Sequence, residues 1–343
     1  MAEDEAVTEA TTARQDHGPE VSVVVPTKDR DALLSQTLSG ISWQHGVDFE
    51  AVVVDDGSAD RGLVERIVND VGDARFRIVR HDRSRGVSEA RNNGSAEAKA
   101  PWVAFCDDDD LWAPDKLMKQ LQAARRFPDA GWVYVGSVNV APGNRVVGGE
   151  PPPTPEQVIE RLEESNVIPG GSSGVMARRA LLLDVGGFDP SLQPLADWDL
   201  WLRMLRVSPP ACVAEPLVAY RVHATNMSLD TRRVEADFVT VAERYPRANL
   251  AVLHRYLGWW SIRVGRHAEA TRHFLRAAVA RDPRYPPSLV KGDLRYLARH
   301  AAEDARTRLP LPLTRRQRQT EVSVEHADWR ERGQRWVDKL TSP

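Results

Sequence analysis

Residues 105–112 read FCDDDDLW, four aspartates set directly behind the apolar stretch WVAF. Carboxylates within about 6 Å of one another repel by roughly 0.7 kcal/mol per pair in water, and by several times that in a partly buried cleft. Such a run calls for positive charge beside it. All-oxygen donors that leave room for water suit Mg2+ or Mn2+ better than zinc. An isolated acidic run is otherwise a solvated turn, so its neighbours decide. DDGS at 55–58 is a second acidic group, and Asp197 and Asp199 in LADWDLWLRML are a third.

The elements that must position these groups follow from patterning. VSVVVP and FEAVVVDDGS are short β-branched runs, and RDALLSQTLSGIS between them has apolar positions at helical spacing, a βαβ signature. Both strands are apolar at consecutive positions, as expected where helices cover both faces of a parallel sheet. RFRIVRH and WVAFCD supply two more strands, with SEARNNGSAEAK a helix between them. The fold class is therefore α/β, an open, doubly wound, mainly parallel sheet over the first ~130 residues. In such sheets ligands bind beyond the carboxyl ends of the strands. Those ends are PTKDR at 26–30, DDGS at 55–58 and DDDD at 107–110, close to the basic segment RHDRSRGVSEAR. Two acidic strand ends at one sheet edge beside basic residues point to a phosphate-bearing ligand held with a divalent cation.

Composition sets the outer bounds. The 343 residues are 42% hydrophobic with a net charge of −3, and the pI is near 6.3. This is a globular chain with no general affinity for nucleic acid or anionic membrane. Cys106 and Cys212 lie far apart without metal-like spacing, which fits reduced thiols and a cytoplasmic setting. Residues 1–19 are acidic and polar with no apolar core, and read as a disordered leader. No stretch reaches the roughly eighteen apolar residues of a membrane span, so membrane contact is at most peripheral, at the inner face.

VSVVVPTKDR, VVVDDGSADR, GVSEARNNG and VAFCDDDDLWAPDKL, in this order, resemble the successive motifs of family 2 glycosyltransferases of the GT-A fold. The resemblance covers roughly residues 21–228 and implies a GT-A domain over 20–228. Its nucleotide-binding half is 20–135 and its acceptor and catalytic half is 136–228. By this resemblance Pro26, Thr27 and Asp29 sit near the base and ribose of a nucleotide-sugar, and Asp56 accepts the N3–H of a pyrimidine. Read as a residue alone, Asp56 could be the N-cap of the next helix, a role that Asp55 or Ser58 could fill equally well. Arg91 approaches the ribose or diphosphate by the resemblance; the residue alone also suits a solvated helix face. The acidic run is the family's DXD motif, which holds Mg2+ or Mn2+ on the diphosphate. Spacing fits the register 107/109 and 108/110 alike, whereas the family pattern FLDxDDxW favours Asp107 and Asp109. In an extended segment these two share a side while Asp108 faces away. Asp109 is then the metal ligand, Asp107 and Asp108 contact ribose or metal-bound water, and Asp110 caps the helix opening at APDKLMKQL, where Pro114 suits the first turn.

LADWDLWLRML resembles the family's EDWDLWLR motif, whose Asp, here Asp197, is the general base for the acceptor hydroxyl. Leu200, Trp201 and Met204 share a helical face, and Asp199 is rotated about 200° from Asp197, so only one of the two faces the site. Ala196 replaces the family's preceding acidic residue, which bears on acceptor binding more than on catalysis. His223 in YRVHATNMS resembles a histidine that completes the metal shell in many GT-A enzymes. The implied reaction is a single displacement that inverts the anomeric carbon, with a saccharide, lipid-linked or small-molecule acceptor. The rival reading is a non-catalytic nucleotide-sugar-binding or scaffold protein acting through its helical tail.

Upstream of that motif, Thr154, Pro155 and Gln157 form a capping-box start for a helix, followed by a loop-rich stretch from Asn166. Beyond Ser228 the patterning is helical to residue 343. Gly258, Ala270, Phe274 and Ala277 have the spacing of one tetratricopeptide-like hairpin. One repeat cannot bury its own face, so these helices pack on the transferase region or, less in keeping with the pattern, on a protein partner. TRRQRQ at 314–319 reads as a solvated basic patch. Trp43, Trp102, Trp112, Trp132, Trp198 and Trp201 read mostly as core, with Trp112 able to border a sugar pocket.

Overall fold

The computed structural model describes residues 18–223, 226–227, 230–263, 265–280, 291–298 and 326–341. The leader up to residue 17, Ser228 and the 314–319 patch lie outside the described residues. Strands β1 (Val21–Thr27), β2 (Phe49–Asp55), β3 (Phe76–Arg80) and β4 (Trp102–Phe105) alternate with helices α1 (Ala32–Ser42), α2 (Leu63–Val71) and α3 (Val87–Glu97). All four strands are parallel, in the order β3-β2-β1-β4. β1 and β2 are buried along their whole length. The consecutive apolar run has a simple cause: Val24, Val52 and Val54 enter the core on one face, and Val23, Val25 and Val53 the core on the other. Helix α3 lies so close to β1 that a Cβ at Gly94 would sit 2.4 Å from Val24 Cγ1.

Past the aspartates come β5 (Leu111–Trp112), α4 (Lys116–Arg126), β6 (Trp132–Ala141), β7 (Arg145–Glu150), α5 (Pro155–Arg161), β8 (Val175–Arg178), α6 (Arg179–Asp184), α7 (Ala196–Val207) and β9 (Pro210–Arg221). They complete a nine-stranded sheet, β3-β2-β1-β4-β8-β6-β9-β5, with β7 on β6. β8 runs antiparallel to both β4 and β6, so this half is mixed. The capping box forms at Thr154 and Gln157. The stretch read as loop-rich contains β8 and α6, elements of four and six residues that are too short to carry a period.

Trp132 and Trp201 stack with ring centroids 6.0 Å apart in the core. Trp43 is the exception to the tryptophan reading, at 49% exposed. Trp112 does not border a sugar pocket. It is buried in the core, with Lys116 Nζ 3.7 Å above its ring, and burial pushes the Lys116 ammonium down to about 7. Both cysteines are free thiols.

Helices α8 (Thr231–Arg244), α9 (Leu250–Arg263) and α10 (His267–Val279) follow, then a helical stretch α11 (291–298) and α12 (Ala327–Thr341). α9 and α10 form a hairpin in which a Cβ at Gly258 would meet Phe274 Cε1 at 2.5 Å. Burial lowers the pKa of the facing imidazoles, His254 to about 4 and His273 in the same direction. α12 returns to the transferase sheet: Trp329 Nε1 donates to Ser137 O at 3.1 Å and Trp336 Nε1 to Pro216 O at 2.7 Å. It closes a third core with Leu111, Val138, Val140 and Ala219. Among the described residues no helix is long and apolar enough to cross a membrane.

Candidate active site

A cleft of about 2020 Å3 opens at the carboxyl ends of β1, β2 and β4, and its far wall is made by the start of α7 with residues of α8 and α9. Pro26, Thr27, Asp56, Arg91, Asp107, Asp108, Asp109 and Asp197 all line it. Two expected residues do not. Asp29 adopts φ 51°, and its carboxylate accepts the Ala59 N–H at 2.8 Å while its own N–H donates to Ser58 Oγ at 2.9 Å. It ties two strand-end loops together instead of facing a ligand. His223 is outside the lining as well, but its Nε2 lies 2.9 Å from Asp109 Oδ2.

The acidic run is not extended. The chain turns after β4, with the Asp110 N–H donating to Asp107 O at 3.2 Å. Strand alternation therefore does not apply, and Asp107, Asp108 and Asp109 border the cleft together. Asp110 is the residue that faces away. It is fully buried, its Oδ1 accepts the Arg221 N–H at 3.2 Å, and it caps no helix; α4 begins after Asp115, whose side chain makes no capping bond.

Positive charge comes from the chain itself. Arg91 Nη2 donates to Asp107 Oδ1 at 2.5 Å. Arg30 lies 3.7 Å from both Asp108 and Asp109, and Thr27 Oγ1 donates to Asp108 Oδ2 at 2.7 Å. The buried Arg221 guanidinium makes no direct hydrogen bond, and desolvation, only partly countered by Asp110 and Asp109, lowers its pKa. Desolvation and then the Asp109 charge push Asp108 up to about 7.

Asp56 is fully engaged. Oδ1 accepts from His81 Nδ1 and the Arg85 N–H, each at 2.8 Å, and Oδ2 from Ser84 Oγ at 2.7 Å and the Gly86 N–H at 2.9 Å. Desolvation raises its pKa, but these four bonds outweigh it and hold the carboxyl below its ordinary value. Asp56 is thus no N-cap; it folds the loop that leads into α3, where Gly86 precedes the first turn.

Asp197 stands opposite. Among the described residues Oδ1 accepts its neighbour Trp198 N–H at 2.7 Å, and Oδ2 takes only a long 3.4 Å bond from Asn166 Nδ2. Desolvation pushes its pKa up to about 6, against the lowering charge of Arg91. Asp199 points the other way, buried on Arg203 Nε at 2.8 Å, Arg244 Nη1 at 3.1 Å and Tyr245 OH at 3.2 Å. Ala196 is buried. The loop before it is fixed by Asp237 of α8, whose Oδ2 accepts the N–H groups of Gln193 at 2.9 Å and Leu195 at 3.2 Å.

Arg30, Asn166, Ser173 and Asp237 went unread in the sequence; Ser173 Oγ accepts the Asp107 N–H at 2.9 Å. Only Arg30 had a signal, since it ends the PTKDR strand terminus and the acidic run demanded a cation.

A curled, parallel-rich sheet with this acidic cleft at its strand ends has the architecture of the GT-A fold. Residues 22–185, a little under half of the chain, match the family described as Glycosyl transferase family 2. An uncharacterized glycosyltransferase of Haemophilus influenzae is 27% identical over 230 residues, 66% of this chain and 76% of that protein. S. aureus TarS 1-349, solved in complex with UDP, superposes with a TM-score of 0.54 at 16% identity, covering 86% of this chain and 94% of that one. The Pyrobaculum calidifontis mannosyltransferase PcManGT, solved with GDP-Man and Mn2+, gives a TM-score of 0.54 at 19% identity, covering 94% and 86%. At these identities the two structures speak to the fold.

Proposed function

We propose that this chain moves a sugar from a nucleotide-diphosphate sugar to an acceptor hydroxyl, with inversion at the anomeric carbon and Asp197 as general base. The observation that carries this reading is that Asp107, Asp108 and Asp109 share one cleft with Asp197. Pro26, Thr27 and the loop folded by Asp56 receive the nucleoside. Ser84 supplies the one side-chain hydroxyl among the four Asp56 bonds, and it is the bond that can yield to a base N3–H. Arg91 reaches the diphosphate from the Asp107 side.

The donor set fits a divalent cation. Asp109 Oδ2 and His223 Nε2 are 2.9 Å apart, close to the roughly 3.0 Å edge of an octahedron with ligands at 2.0–2.1 Å. Asp109 and His223 would hold the ion, with Asp107 and Asp108 on its water shell. Mn2+ or Mg2+ bound there supplies charge neutralisation at the diphosphate, worth several kcal/mol. The complexes of TarS with UDP and of PcManGT with GDP-Man support this choice of donor.

Asp197 acts on the acceptor side. Its Oδ2 has one weak partner to give up, and a raised pKa places it near the operating pH, where proton transfer is most effective. The acceptor hydroxyl loses its proton to Asp197 as it attacks the face opposite the leaving diphosphate, so no second carboxylate nucleophile is required.

Thermal shift with UDP-, GDP- and dTDP-sugars, with and without Mn2+, tests the donor. One nucleotide series should stabilise the fold in a metal-dependent way, by about 2.7 kcal/mol at 100 times Kd. Asp109→Ala should remove the metal dependence and the donor turnover. No stabilisation by any donor would overturn the proposal, and binding without turnover would favour the non-catalytic reading.

A further inference from the structure

Outside the cleft, Glu235 of α8, His254 of α9 and His273 of α10 bring one ligand atom each to within 4.8 Å of one another. The two Nδ1 atoms are 3.2 Å apart. Glu235 Oε1 stands 3.9 Å from His254 Nδ1 and 3.8 Å from His273 Nδ1. Tetrahedral zinc with ligands at about 2.0–2.1 Å requires ligand edges of roughly 3.3–3.4 Å. The imidazole pair meets that edge already, and a shift of about half an ångström by the part-exposed Glu235 side chain completes it.

Two imidazoles sharing a single proton would account for the 3.2 Å separation alone. The Glu235 oxygen is in addition nearly equidistant from both nitrogens, as a shared ion requires. Arg276 Nη1 donates to the same Oε1 at 2.7 Å, which suits the outer partner that orients a ligating carboxylate. Both histidines are almost fully buried, so the ion would be shielded. A set with two imidazoles selects zinc-like ions over Mg2+.

We propose that Glu235, His254 and His273 form a structural transition-metal site, best suited to Zn2+ with water in the fourth position, that clamps α8 to the α9–α10 hairpin. Glu235 lies two residues before Asp237, which holds the loop entering α7. The ion would thus tie the hairpin to the helix that braces the acceptor side of the cleft.

The test uses the full chain, stripped with a chelator and titrated with Zn2+ and with Co2+. One equivalent of Zn2+ should bind and raise the melting temperature, and Co2+ should develop the intense visible bands of a tetrahedral site. Glu235→Gln and His273→Gln should each weaken Zn2+ at least about 10-fold, since losing even an outer partner costs roughly 10–100-fold. Asp109→Asn should leave this binding intact. If His273→Gln does not fold, X-ray absorption of the native zinc protein takes its place, with a shell containing two imidazoles expected. The proposal fails if no equivalent of Zn2+ binds, if Glu235→Gln binds it as well as the native chain, if Asp109→Asn abolishes it, or if the absorption shell is all oxygen.

Discussion

The two walls of the cleft treat their carboxylates in opposite ways. On the β1–β4 wall each acid is held by groups the chain supplies: four bonds on Asp56, Arg91 on Asp107, Thr27 and Arg30 on Asp108, Arg30 and His223 on Asp109. On the α7 wall Asp197 keeps only its neighbour's N–H and a 3.4 Å contact. Groups that bind a ligand gain from being fixed in advance, because ordering them costs nothing when the ligand arrives. A group that must exchange a proton needs an open lone pair and a pKa free to sit near neutrality. Asp199, only two residues on, has the pinned character of the opposite wall and no access to the cleft.

The contrast is most easily broken at those two neighbours. Asp197→Asn should lower kcat by about 10²–10⁴ while the donor Kd, read by calorimetry, stays near the native value. A parallel loss of donor binding would erase the division between the walls. Asp199→Ala should instead destabilise the fold by roughly 3 kcal/mol in urea unfolding, because it removes the buried carboxylate that joins Arg203, Arg244 and Tyr245, and the protein that remains folded should retain turnover.

A smaller effect sharpens the comparison through pH. As the proposed general base Asp197 would work as the carboxylate, so kcat/KM should fall as pH drops through about 6. Arg91 favours that carboxylate, and Arg91→Gln should move the falling limb to higher pH. The stability sign runs the other way. With its folded pKa raised, Asp197 retains a proton that the unfolded chain releases, so it subtracts stability as pH rises toward 6. Asp197→Asn should flatten this part of the stability profile.

The β1–β4 wall was legible because its signal is local: strands buried on both faces read as unbroken apolar runs, and their polar ends mark the ligand edge. β6, β7 and β8 were not, since short strands in a mixed sheet take their positions from partners remote in the chain. The acidic run announced a site but misled on direction, because period-two alternation holds only in extended backbone and residues 107–110 turn. Helical geometry showed that only one of Asp197 and Asp199 can face the site, and the resemblance to EDWDLWLR chose Asp197. Asp237 could not, since nothing in its own helix marks it as the brace of a loop some forty residues earlier.

Helix α12 lays Trp329 and Val337 over an apolar strip of the central sheet that includes Val138, Val140 and Ala219. Between about 110 and 190 residues of translation separate the members of that strip from Trp329. A nascent chain emerging from the ribosome must therefore carry a naked greasy seam until synthesis reaches Ala327, which makes late-stage chaperone shelter, and not the assembly of the strands themselves, the vulnerable moment in making this enzyme.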